Sequence, residues 1–177
     1  MIINFLINLL FLLCLGIVQV SFLSTWPSPV SSLNLILTLA IFITVIIDYD
    51  QGLYWALGGG LFLELYTHLF FGITTLSLIL AMILINVLFS NFFTNRSFYS
   101  LMILGLIASL TYNLLVLLFQ FLLVLFKLSA EPIFFDFKFQ FVWQPFFNLV
   151  ILAVIFFTFF IFTGRLKSVF LTPASRP

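Results

Sequence analysis

Apolar runs about as long as a bilayer is thick follow one another along the chain, and each is closed by a short polar break. Six runs are marked off in this way, over residues 2–23, 30–47, 52–71, 74–93, 98–126 and 145–163. The breaks carry residues that stop or anchor a spanning helix. Pro27 and Pro29 flank Ser28, Trp26 suits the interface, Asp48 and Asp50 mark a membrane surface, and Gly72 permits a tight turn. The expected fold is all-α: a single integral membrane domain of six transmembrane helices over residues 1–177, with the third and fourth spans forming an antiparallel hairpin.

Composition narrows the picture further. Of 177 residues 64% are hydrophobic and only 6% charged, which leaves no room for a separate catalytic module. A net charge of +1 gives no basis for a nucleic-acid partner, so the partner expected from composition is the lipid bilayer itself. The first run lacks a basic leading segment and has an apolar portion too long for a signal peptide, so it reads as a retained helix. Its Asn4, Asn8, Leu15 and Gln19 fall within about 60° of one another, a stripe expected to face protein. Cys14, the single cysteine, reads as a small packing residue. With six spans, Arg96, Arg165, Lys167 and Arg176 share the side of the termini against Lys127 and Lys138 opposite, which places both termini in the cytoplasm.

Two segments depart from a plain span. The fifth run is about 43 Å long at 1.5 Å per residue and must tilt, bend near Gly105 or project. Its Gly105, Ser109, Tyr112, Val116 and Gln120 share a face suited to helix packing, and Asn113 and, on the fourth span, Asn86 are further packing candidates. Residues 134–141, FFDFKFQF, alternate with a period of two and predict an extended strip at the membrane surface.

Unusual chemistry concentrates between Gly58 and Leu78. Gly58, Gly59 and Gly60 offer a close-packing surface, and Gly60, Glu64, His68 and Phe71 lie within about 80° on one helix face. On a third helix reaching residue 71, Glu64 sits about 10 Å from the helix end, where an ionised carboxylate is costly and must be protonated, paired or wet. His68, the only histidine, is the nearest candidate partner. One reading makes the pair a proton relay or a small-molecule site. The other makes Glu64 a buried hydrogen-bonding hub between helices, and it is favoured because no other span carries a charge in its middle. One histidine and scattered carboxylates supply no metal site, and no nucleophile motif or phosphate loop is present, so neither an enzyme nor a cofactor is expected.

The pattern Gly60, Leu61, Phe62, Glu64, Phe71, Gly72, Ile73, Leu76, Ser77, Leu78, together with the span layout, Trp143 and Pro145 before the last span, and the short basic tail, resembles the MreD family of bacterial rod shape-determining membrane proteins. Glu64 stands where that family usually has Asp, Phe70 replaces a frequent Pro, and Thr74 and Thr75 replace a frequent His-Ala. The resemblance implies a non-enzymatic scaffold of the wall-elongation complex in the inner membrane. Its implied partners are an MreC-type bitopic protein, MreB, RodA and a penicillin-binding transpeptidase. The family's fold is similar to the substrate-binding subunits of energy-coupling-factor transporters, which defines the alternative: a vitamin-binding transport subunit.

Overall fold

A computed structural model describes residues 2–23, 25–67, 70–93, 96–127 and 139–163. Among these residues the chain is all-helical. The helices are α1 (Ile2–Val18), α2 (Leu35–Phe42), α3 (Tyr49–Glu64), α4 (Ile73–Phe92), α5 (Phe98–Leu125) and α6 (Gln144–Thr163). Wider π-type turns extend α1 through Gln19–Leu23 and α2 through Ile43–Ile47, and another, Phe139–Trp143, leads into α6. Among the described residues, three stretches are long and apolar enough to cross a membrane: Ile73–Phe92, Phe98–Leu125 and Gln140–Phe162.

α2 is the centre of the packing. Nearly every residue from Ile36 to Ile46 is buried, on all sides of the helix, as expected of a segment that is apolar all round and enclosed by others. It meets α3, α6 and α5, while α3, α4, α5 and α6 pack in sequence around it. α1 lies outside, mainly on α3, where Gly16 accommodates the Phe62 ring and Phe11 packs edge-on against Trp55.

Local chemistry sets several boundaries. The Asn34 side chain accepts from Leu37 N–H at 3.0 Å and so caps α2, and Ser97 caps α5 by accepting from Ser100 N–H. The far end of α2 is closed by Arg96, whose Nη1 donates to Ile46 O at 2.6 Å and Ile47 O at 2.9 Å. A cation at the carbonyl end of a helix also complements its dipole.

Some expectations need correction. α2 begins at Leu35, not residue 30, because residues 30–32 form a single tight turn before the Asn34 cap. α3 stops at Glu64 where the apolar pattern predicts continuation to residue 71: Leu65 and Tyr66 N–H turn back to Phe62 O and Leu63 O. α4 begins only at Ile73, and Gly72, at φ 100°, takes the step just before it. α5 runs unbroken through Gly105. Of the stretch expected to be extended, residues 134–138 lie outside the described residues and Phe139 onward is helical. Asn8 and Cys14 are exposed rather than packed against protein.

Candidate functional site

Several buried polar side chains, among them Asn34, Glu64, Thr74 and Thr75, lie where α2 and α4 begin and α3 finishes. Glu64, in the last turn of α3, places Oε1 2.8 Å from Thr75 N–H. Thr75 is the third residue of α4, one of the positions whose N–H has no partner within the helix. Gly72, at the cap position, has no side chain to serve it. Glu64 thus caps α4 from another helix, and the positive end of α4 favours the carboxylate. Close approach makes this possible: a Cβ on Gly60 would stand 2.8 Å from Thr75 Cα.

A second set of bonds joins α2, α5 and α6. Asn148 Oδ1 accepts from Asn34 N–H at 3.0 Å, and Asn148 Nδ2 donates to Ser109 Oγ at 3.2 Å. Tyr112 is buried on the same helix as Ser109 and Asn113. Asn113 donates from Nδ2 to Gln140 O and ties α5 to the turn before α6. At the α1 end, the Gln19 amide donates to Leu33 O at 2.7 Å and accepts from Leu35 N–H at 2.8 Å, clamping the entry to α2. Glu64 Oε2, Thr75 Oγ1, Thr74 Oγ1 and Gln120 Oε1 are buried with no hydrogen-bond partner among the described residues.

Sequence reasoning singled out Glu64, Ser109 and Asn113, and each is buried and bonded to a different neighbour: Thr75, Asn148 and Gln140. The structure scatters the glycines: Gly58 faces Leu12, Gly59 faces Ile36, Gly60 faces Thr75 and Gly105 faces Leu152. Asn86 is half-buried on α4, away from the cluster. His68 lies outside the described residues, and the helix face expected to join it to Glu64 ends at Glu64 itself. The depth expected for Glu64 is corrected in the same way, since it occupies the helix end and not a position about 10 Å inside it. Asn34 and Asn148 were missed. The available signals were the cap position of Asn34 before an apolar run and a lone amide inside the last one.

Chemically the arrangement is a set of helix-to-helix hydrogen bonds around one buried carboxylate. Among the described residues, no three His, Cys, Asp or Glu side chains converge. Asn148→Leu leaves Asn34 N–H and Ser109 Oγ without their partner in the core. A loss of about 1–3 kcal/mol is expected, read as a lower thermal midpoint of the purified protein in detergent.

No family model, curated protein or solved structure matches the chain. Among the described residues, fold and site define an all-helical protein with three helices long and apolar enough to span a membrane and with hydrogen-bonded polar side chains in its core.

Proposed function

We propose that this chain is a non-enzymatic scaffold subunit of the bacterial wall-elongation complex, an MreD-type protein that acts with an MreC-type single-span partner. In this reading it crosses the cytoplasmic membrane six times with both termini inside, and it joins MreB, RodA and a penicillin-binding transpeptidase through that partner. The observation that carries the proposal is how the interior polar groups are used. Asn34, Glu64, Ser109, Asn113 and Asn148 are all less than a tenth exposed and bonded from helix to helix, as suits a rigid packing subunit. A solute-binding subunit needs such groups lining a pocket open to the outside. The Gly60, Glu64 and Gly72 spacing that carries the family resemblance also falls on the α3–α4 junction, where Gly60 allows close approach, Glu64 caps α4 and Gly72 takes a left-handed backbone conformation.

Copurification from native membranes tests the proposal. A stable complex with an MreC-type protein, and loss of rod shape when the chain is depleted, are the expected results. Retention of a small vitamin at near-equal stoichiometry, with no MreC-type protein bound, would replace the scaffold by a transport subunit.

A further inference from the structure

The side-chain oxygens left without partners in the core are not spread evenly. Among the described residues seven are buried with no hydrogen bond, and five of them, on Glu64, Thr67, Thr74, Thr75 and Ser77, fall where α3 ends and α4 begins. Buried threonines on α2 are satisfied locally: Thr38 donates to Asn34 O at 2.8 Å and Thr44 to Ala40 O at 2.7 Å, each four residues back. Thr74 and Thr75 have no such acceptor within α4, whose first residue is Ile73. Ser77 lies four residues after Ile73, and its hydroxyl still makes no bond.

Glu64 makes the shortage acute. The residue is 6% exposed; its Oε1 is taken by Thr75 N–H, and Oε2 is buried with nothing bonded to it. An ionised carboxylate in such a place needs a counter-charge. The cationic side chains among the described residues do not supply it, since Arg96 bonds Ile46 O and Ile47 O at the far end of α2 and Lys127 is exposed after α5. The positive end of α4 returns only a fraction of what burying a charge costs. A bound water would serve the hydroxyls but carries no charge to set against the carboxylate.

Carboxylate and hydroxyl oxygens, with no nitrogen or sulfur among them, are the donors that hard cations take. Thr75 turns its hydroxyl toward α3: Oγ1 lies 2.9 Å from the point a Cβ on Gly60 would occupy, and Gly60 is one turn from Glu64 on the same helix face. A divalent ion would reverse the local charge against the positive end of α4, whereas a monovalent ion balances the carboxylate one for one. We infer that the α3–α4 junction binds one monovalent alkali cation, with Glu64 Oε2 as its charged ligand and the Thr75 hydroxyl among its neutral ones. The ion ties the end of α3 to the start of α4, so its binding stabilises the fold. The site belongs to this junction and does not depend on which complex the chain serves.

Thermal unfolding of the full chain in detergent tests it, with NaCl, KCl and MgCl2 each compared with choline chloride at equal ionic strength. The wild-type midpoint should rise by about 3–5 °C at a Na+ or K+ concentration tenfold above the dissociation constant. In choline chloride Glu64→Gln should unfold close to wild type, and adding Na+ or K+ should not raise it. Thr75→Val keeps the N–H that Glu64 caps and loses the hydroxyl, so it should need about fivefold more cation for the same rise. The inference is overturned by equal midpoints in alkali and choline salts, a full response in Glu64→Gln, an unshifted response in Thr75→Val, or a larger rise with MgCl2. A second measurement needs no variant: equilibrium dialysis of the purified protein against radioactive sodium or rubidium. One of the two should bind at about one ion per chain, and binding of neither also overturns the site.

Discussion

Gly60→Ala is expected to disrupt the bundle, and Gly58→Ala, two residues away on the same helix, to be tolerated. The added methyl at Gly60 would lie 2.8 Å from Thr75 Cα, which is backbone within the first turn of α4. Neither helix can yield locally, so α3 and α4 must separate. That separation also stretches the 2.8 Å bond from Glu64 to Thr75, so the overpacking cost of about 1–3 kcal/mol is joined by a weakened cap. At Gly58 the same methyl meets Leu12 Cδ1 at 3.1 Å, the mobile end of a side chain on the outer helix. Small displacement of Leu12 suffices, and replacing a helical glycine by alanine returns about 0.5–1 kcal/mol. Thermal midpoints of the two purified variants in one detergent should differ in sign from wild type, down for Gly60→Ala and level or up for Gly58→Ala. A Gly60→Ala protein as stable as wild type would mean that the α3–α4 contact is looser than described.

These glycines also show what a sequence can disclose. Three in a row predict close packing, and close packing is found, but successive residues turn by about 100° on a helix. Gly58, Gly59 and Gly60 therefore serve three different neighbours, α1, α2 and α4. α4 and α5 were legible almost to the residue because long apolar runs end in decisive local signals, Gly72 before one and the Ser97 cap before the other. The end of α3 was not legible. Residues 65–71 carry no glycine or proline to stop it, and what the structure shows at its end is tertiary, a carboxylate that caps a helix beginning nine residues later. Asn34 and Asn148 bond across 114 positions of sequence, a separation at which no local pattern operates. The wide turns at Gln19–Leu23, Ile43–Ile47 and Phe139–Trp143 follow no periodicity in the sequence for which we have a physical account.

Glu64→Gln and Glu64→Leu separate the two roles a buried carboxylate can have. In the capping role what matters is an acceptor at Oε1, opposite Thr75 N–H. Glutamine keeps that acceptor, and its amide NH2 takes the place of Oε2, which is unpartnered among the described residues. Removing the charge forfeits its attraction to the start of α4, about 0.3–1 kcal/mol. Glu64→Gln should therefore lie within about 1 kcal/mol of wild type. Leucine fills the volume but accepts nothing, and Thr75 N–H is left buried and unpaired at about 1–3 kcal/mol. Thermal unfolding in detergent should rank wild type and Glu64→Gln together, with Glu64→Leu below, and, under the scaffold function proposed above, complementation of cell shape should follow the same order. If both variants instead fold at wild-type abundance and both fail in complementation, the carboxylate acts through its proton and not as a cap. Glu64 would then belong with the ionisable groups that membrane proteins keep for transfer or switching.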